Sequence, residues 1–194
     1  MTALEWDYSS MEPKGWYLTE KYDGMRLYWN GKEFISRNGR TIKAPESIKN
    51  QLPAVPLDGE LWTQYGLYQD AVSLCNSTNE TKWSKAVFWI FDAPQLEKPL
   101  EERIEFLQNL SLPSFAKVVE FVKCESKEHL NTFNSSIIAK GGEGVMLREP
   151  GSLYKSGRST SLRRMKPFFD TEVLVLKNQF PHGLQCKQYV FAAY

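Results

Sequence analysis

Lys21 lies in the segment TEKYDGMR, residues 19–26, and could act as a nucleophile. A lysine that is surrounded by other cations, or buried against a ligand, loses its proton more readily and can then attack an electrophile. The same segment has an ordinary structural interpretation, because Asp-Gly is a common turn that basic residues often flank. The segment alone leaves the two interpretations evenly balanced, so the rest of the chain has to decide between them.

Five further segments place charged side chains beside glycine or aromatic residues. In chain order they are SRNGR (36–40), DGE (58–60), FD (91–92), GEGVMLR (142–148) and RMKPF (164–168). Asp58 and Glu60 are predicted on one face of a strand, because side chains two residues apart point the same way. Glu143 lies between glycines at the start of another predicted strand, which indicates a close approach of the backbone to a ligand. Ordinary alternatives exist: surface ion pairs for the acidic residues of the DGE segment, and a core position for Phe91.

Strands are the elements that must position most of these residues. Residues 26–29 and 32–36 flank Asn30-Gly31, a turn dipeptide that favours left-handed backbone geometry and predicts a β-hairpin between them. A second turn is predicted at Asn38-Gly39. This arrangement would bring Lys21, Arg26 and Arg37 to adjoining strand ends, where three cations could converge on one anion. Further strands are predicted at 16–20, 55–62, 86–92, 117–122, 144–148, 162–167 and 171–177.

Helices are predicted between the later strands. The clearest covers residues 100–110, where apolar side chains recur at helical spacing. Another covers 126–140, with Ser126 as its N-cap and Gly141 as its end, and a short one falls within 44–52. The first 15 residues are predicted to be irregular. Hairpins followed by helices between strands indicate an α+β fold with antiparallel sheets flanked by helices, rather than a regular βαβ series.

Composition limits the possible functions. The chain has 194 residues with 24 basic and 23 acidic side chains, so its net charge gives no general attraction to nucleic acid. Residues 155–187 nevertheless hold seven basic side chains against two acidic ones, an excess that could face phosphates. Three scattered cysteines argue against a disulfide framework, and two isolated histidines argue against a His-based triad or metal site. Without a signal or membrane segment, the chain is expected to be soluble and intracellular.

Taken in this order and at these separations, the six segments resemble the nucleotidyltransferase motifs of the ATP-dependent DNA ligase family, whose relatives include RNA ligases and mRNA capping enzymes. The resemblance runs from about residue 16 to residue 170. The flanking sequences PLDGELW and GEGVMLREP resemble the small, minimal DNA ligases in particular. It implies an ATP-grasp-like nucleotidyltransferase domain over 16–177, after an N-terminal lead-in at 1–15.

The resemblance also implies a reaction and its cofactors. Lys21 would attack the α-phosphate of ATP to form a lysyl-AMP adduct, AMP would pass to the 5′-phosphate of a nick, and the 3′-hydroxyl would displace it. The partner would be nicked duplex DNA, and the enzyme a monomer with no membrane association. Magnesium would be held by Glu143 and, as a weaker second ligand, by Asp58.

Each remaining site residue receives a role from the same resemblance. Asp23 would help to position the 3′-hydroxyl, and Arg37 and Arg40 would contact DNA. Phe91 would stack on adenine and Glu60 would hold the ribose hydroxyls. The nucleotide-binding residues would be Thr19, Glu20, Arg26, Glu60, Phe91, Arg164 and Lys166.

The sequence departs from the family pattern in two places. Arg164 stands where the family usually has lysine, which keeps the charge but makes proton transfer there less plausible. The tail at 178–194 is too short for the five strands of the family's OB-fold, so we expect slow or absent self-adenylation from ATP. Two alternatives stay open: an RNA ligase or GTP-using capping enzyme, and a nucleotide- or nick-binding module without turnover.

Overall fold

Two five-stranded sheets form the framework of the computed structural model, which describes residues 1–166. The strands are β1 (Thr2–Glu5), β2 (Tyr17–Glu20), β3 (Met25–Trp29), β4 (Phe34–Ser36), β5 (Leu57–Trp62), β6 (Val87–Asp92), β7 (Ala116–Val118), β8 (Val122–Lys123), β9 (Val145–Arg148) and β10 (Arg158–Met165). The helices are α1 (Glu46–Lys49), α2 (Tyr68–Leu74), α3 (Glu80–Trp83), α4 (Leu100–Gln108) and α5 (Lys127–Ala139). The first sheet has the order β1-β10-β9-β2-β8, and the second has the order β4-β3-β5-β6-β7.

Each sheet buries one face under its own hydrophobic core. In the second sheet, strand β6 alternates so that Phe88 and Ile90 are fully buried while Trp89 and Phe91 keep some exposure. The core of the first sheet lies where α5 covers β2 and β9, with Leu130 and Leu147 among its buried residues. The α+β class with helices flanking two sheets is therefore confirmed. The sheets are mixed rather than wholly antiparallel, since β1 with β10 and β6 with β7 pair in parallel.

The short connection between β2 and β3 carries the chain from the first sheet to the second. Glu20 pairs with Val145 at the end of β2, and the Lys21 amide donates to the Gly144 carbonyl at 2.9 Å. Four residues later, Met25 begins β3 opposite Leu61 of β5. The crossing requires Gly24, because a Cβ atom there would lie 2.3 Å from the Leu61 carbonyl oxygen. Lys21 is thus fixed at the seam between the sheets.

Several local sequence signals are confirmed. The Asn30-Gly31 turn joins β3 to β4, with a positive φ of 92° at Gly31. Helix α5 begins where predicted, because the Ser126 side chain accepts from the His129 amide at 3.1 Å. Gly141, with φ of 87°, follows its end.

Other expectations need correction. The lead-in was predicted to be irregular, yet residues 2–5 form β1, which pairs in parallel with β10 at the far end of the chain. The strand predicted at 117–122 is divided between β7 and β8, which belong to different sheets. Strand β10 begins at Arg158, four residues before the start of the strand predicted at 162–167. The strand predicted at 171–177 and the tail at 178–194 lie outside the described residues.

We predict that Gly144→Ala destabilises the fold by about 3 kcal/mol, because φ there is 138° and a Cβ atom would lie 2.2 Å from the Met165 carbonyl oxygen. Gly151→Ala is the matched control, since Gly151 also has a positive φ, 70°, but its Cβ would meet nothing within 4 Å. That control should lose only about 1 kcal/mol. Urea unfolding measures both losses, and equal losses would show that the close approach to Met165 has no effect.

Candidate active site

A cavity of about 230 Å³ opens between the two sheets, next to the β2–β3 crossing. Both sheets contribute to its wall, and the crossing itself contributes Lys21. The residues around it include Thr19, Glu20, Lys21, Tyr22, Arg26, Arg37, Glu60, Phe91, Met146, Arg148, Leu162 and Arg164. Eight of the residues predicted for nucleotide or DNA binding or for catalysis therefore surround one cavity, although they come from distant parts of the chain.

Glu143 joins two lysines at this cavity. The Lys21 ammonium donates to Glu143 Oε2, and the Lys166 ammonium pairs with Glu143 Oε1. Burial tends to raise the pKa of Glu143, but the hydrogen bonds from Lys166 and Lys21 outweigh it and lower the pKa below its usual value. Glu143 is therefore ionised, and each of its two oxygens holds one lysine side chain.

Arg26 is held by a second carboxylate. Its Nε and Nη2 atoms donate to Asp58 Oδ1 and Oδ2 at 3.0 and 2.6 Å, a bidentate pair. Asp58 is almost fully buried, and the Tyr154 hydroxyl donates to its Oδ2 at 2.9 Å. The geometry thus makes Asp58 the partner of Arg26 and gives no support for it as a metal ligand. Within residues 1–166 no three His, Cys, Asp or Glu side chains converge to hold a metal ion.

Two acidic groups at the cavity have raised pKa values. Glu60 keeps some accessible surface, but burial of its carboxyl raises the pKa to about 8 despite the nearby Lys21 and Arg26. Burial also raises the pKa of Glu20, which accepts a hydrogen bond from the Tyr65 hydroxyl at 2.9 Å. Protonation of Glu60 removes negative charge from the cavity, so its cations favour an anionic ligand.

Phe91 faces the cavity rather than the core. Guanidinium carbons of Arg26 and Arg148 lie 5.5 and 5.2 Å from its ring centroid. Arg148 is 5% exposed and donates from Nη1 to Asp92 Oδ2 at 3.2 Å, while Arg103 donates to the other oxygen of Asp92 at 2.7 Å. Sequence reasoning gave Arg148 no role, although it ends one of the quoted segments. One sequence signal could have indicated a role for Arg148. It ends the strand predicted at 144–148, and Asp92 ends the strand predicted at 86–92, so two opposite charges end two predicted strands.

The remaining predicted residues lie around the cavity mouth. Thr19 is buried in its wall, and Arg37 is exposed between the cavity and a neighbouring groove that Arg40 also lines. Asp23 is exposed on the crossing. Arg164 was expected to be a preplaced phosphate ligand, but its Nε and Nη2 atoms pair with Glu5 Oε1 at 2.7 and 2.5 Å. A phosphate would have to displace Glu5 to reach it.

Comparisons with known proteins agree with this geometry. The family described as ATP dependent DNA ligase domain matches residues 1–166. A DNA ligase of Haemophilus influenzae is 29% identical over 193 residues, covering 94% of this chain and 72% of that protein. A structure from a study of DNA binding by Lig E DNA ligases has a TM-score of 0.83 and 30% identity, covering 94% of this chain and 74% of the other. A Chlorella virus DNA ligase-adenylate has a TM-score of 0.71 and 25% identity, covering 91% and 71%.

The fold and the lysine at the seam of the sheets define a nucleotidyltransferase domain. The chain belongs to the ATP-dependent DNA ligase family, and the described residues are its catalytic domain. The family expected from the six sequence segments is thereby confirmed. No helix among residues 1–166 is long and apolar enough to cross a membrane.

We predict that Glu60→Gln stabilises the protein increasingly as pH rises from 5 to 8. The folded-state pKa of Glu60 is raised from 4.5 to about 8, so over this range the folded protein holds a proton that the unfolded chain has released. The parent therefore loses stability as pH rises, by up to about 1.4 kcal/mol per unit, and the glutamine variant does not.

Urea unfolding at pH 5, 6, 7 and 8 measures this difference. Glu12→Gln, at an exposed position, serves as the control and should follow the parent at every pH. Parallel curves for the parent and Glu60→Gln would contradict the raised pKa.

Proposed function

We propose that this protein seals nicks in duplex DNA through an AMP adduct on Lys21, using ATP. The observation that carries the proposal is the position of the Lys21 amine, which lies at the cavity beside Glu143 and Lys166 and among the cations of both sheets. The proposed active form is a monomer.

The first step forms a bond between the Lys21 nitrogen and the α-phosphorus of ATP. The bond from that phosphorus to the oxygen that bridges the α- and β-phosphates breaks, and pyrophosphate leaves with that oxygen. The amine must first lose its extra proton to water. Glu143 accepts a hydrogen bond from Lys21 and so orients the amine at the cavity. Charge that develops on the phosphate oxygens is stabilised by cations already in place, among which Lys166 is bound to the same carboxylate.

The next two steps transfer AMP to DNA and then release it. An oxygen of the 5′-phosphate at the nick attacks the adduct and breaks the nitrogen–phosphorus bond, which restores the Lys21 amine. The 3′-hydroxyl then attacks the activated 5′-phosphate, and AMP leaves. We assign Asp23, exposed on the crossing, to the 3′-hydroxyl end.

The nucleotide would occupy the cavity between the sheets. We assign Phe91 to the face of adenine and Thr19 to the base edge, since both line the wall. Glu60 and Arg26 would contact the ribose hydroxyls. Arg164, paired with Glu5 at the mouth, would reach phosphate by exchanging that partner.

DNA would lie along the groove beside the cavity. This groove has a volume of about 820 Å³ and shares Arg26, Arg37 and Glu60 with the cavity. Arg37 and Arg40 are exposed along it and could contact backbone phosphates. The nick would then lie where the groove meets Lys21.

Magnesium fits the donor chemistry of Glu143. Mg²⁺ in nucleotide sites is commonly bound by one or two carboxylates together with substrate phosphates and waters. Glu143 is ionised and lies at the nucleophile, so it is the residue that would hold the ion, and Lys21 or Lys166 would have to leave one of its oxygens. The bound ion would supply neutralisation of phosphate charge.

We predict that prolonged incubation with ATP and magnesium, long enough for a slow reaction, adds one AMP to the parent protein but none to Lys21→Arg. Arginine keeps the positive charge beside Glu143 but remains protonated and cannot act as the nucleophile. Mass spectrometry of the intact protein measures the adduct. A nicked duplex that already carries 5′-AMP bypasses this step, so sealing of that substrate should survive in the variant.

The alternatives give other outcomes. Equal adducts on the parent and Lys21→Arg would place the nucleophile elsewhere. An adduct with GTP instead of ATP, or joining of RNA ends instead of nicked DNA, would indicate a capping enzyme or RNA ligase. Binding to nicked duplex without any adduct or sealing would indicate a binding module.

A further inference from the structure

We propose that Tyr154 is a positioning residue of the nucleotide site, which fixes Asp58 and through it directs the Arg26 guanidinium into the cavity. Tyr154 touches none of the reacting groups assigned above, and the inference rests on the proposed function. Its hydroxyl donates to Asp58 Oδ2 at 2.9 Å and lies 3.4 Å from Arg26 Nη2. The Met1 nitrogen donates to the same hydroxyl at 3.0 Å.

Asp58 depends on this hydrogen bond because it is buried. The Asp58 side chain is 3% exposed, so water cannot satisfy its oxygens, and its donors must come from the protein. Its Oδ1 accepts a hydrogen bond from Arg26 Nε, while its Oδ2 accepts hydrogen bonds from Arg26 Nη2 and from the Tyr154 hydroxyl. The tyrosine therefore fixes the rotation of the carboxylate about its axis, on which the bidentate geometry depends.

Arg26 has competing partners once that rotation is free. Its side chain is 30% exposed toward the cavity, and its guanidinium carbon lies 5.5 Å from the centre of the Phe91 ring. Glu60 occupies the opposed position on β5, where Arg26 and Glu60 are cross-strand partners. A carboxylate held in one rotamer keeps Arg26 with Asp58. Because Arg26 Nη1 also donates to the Met1 carbonyl, one Nη1 hydrogen is left for a ligand.

Tyr154 is itself anchored by the framework. It lies in the loop 149–157 between β9 and β10, where the Gly151 amide donates to both carboxylate oxygens of Glu101 at 3.1 and 3.0 Å. The Ser152 carbonyl accepts from Arg103 Nη1 at 2.8 Å, and Arg103 is 1% exposed. The first turn of α4 thus fixes the loop, and the loop places the tyrosine hydroxyl over Asp58.

The test measures binding of AMP by calorimetry, because AMP has no pyrophosphate to lose and cannot adenylate Lys21. Tyr154→Phe removes only the hydroxyl and should weaken AMP binding about 10-fold, the size of one hydrogen bond to a charged group. Tyr17→Phe is the matched control, since the Tyr17 hydroxyl makes no hydrogen bond within the described part of the chain, and it should bind AMP as the parent does.

A double-mutant cycle separates positioning from general destabilisation. Asp58→Asn should weaken AMP binding by itself, and adding Tyr154→Phe should then cause no further loss, because the tyrosine acts through the carboxylate. Multiplied losses in the double variant would overturn the proposal, as would unchanged binding by Tyr154→Phe. A parent that binds no AMP would overturn the proposed function as well, so the two failures are distinguishable.

A second variant keeps the test decisive if Tyr154→Phe fails to fold. Glu101→Ala leaves Tyr154 and Asp58 intact but releases the Gly151 amide, and should weaken AMP binding about 3-fold by loosening the loop. Unchanged AMP binding by a folded Glu101→Ala protein would contradict the anchoring of Tyr154 by α4. Thermal unfolding of each variant confirms that it is folded.

Discussion

The relation between the two sheets depends on the buried carboxylate of Asp92. This residue belongs to β6 of the second sheet, yet its partners are Arg103 of α4 and Arg148 of the first sheet. All three side chains are at most 5% exposed, so removal of the Asp92 carboxylate would leave two buried guanidinium groups without their acidic partner. Such a loss typically costs about 3–5 kcal/mol. These ion pairs therefore stabilise the observed arrangement of the two sheets, in which Phe91 lines the cavity.

The position of the nucleophile follows from the same seam. Lys21 is on the crossing between sheets, where its amide is tied to Gly144 of one sheet and Gly24 packs against Leu61 of the other. Its side chain can therefore bind Glu143, next to one sheet, and share the cavity with the positive charge of Arg26 on the other sheet. A lysine on an isolated turn would have neither constraint. The same lysine, aspartate and glycine residues in another protein could therefore form only a turn.

Local sequence signals predicted the local structure and the chemistry. The Asn30-Gly31 hairpin and the Ser126 cap each depend on residues close in the chain, so their residue types suffice. Strand β1 escaped prediction because its four residues show no periodicity and its partner β10 lies more than 150 residues away. The pairing of Arg148 with Asp92 escaped for the same reason, since it joins two sheets and leaves no periodic pattern.

Four of the cations at the cavity and its mouth pair with carboxylates in the structure. Glu143 holds Lys21 and Lys166, Asp58 holds Arg26, and Glu5 holds Arg164. Under the proposed function, nucleotide binding would exchange carboxylate for phosphate at these cations, and the gain in free energy would be the difference between the two sets of contacts. Breaking the exposed ion pair of Arg164 and Glu5 costs little free energy. Breaking the ion pair of Arg26 and Asp58 costs more, because the Asp58 carboxylate is buried. The ion pair at the mouth of the cavity can therefore exchange its partner. The buried pair of Arg26 and Asp58, together with Tyr154, stays fixed.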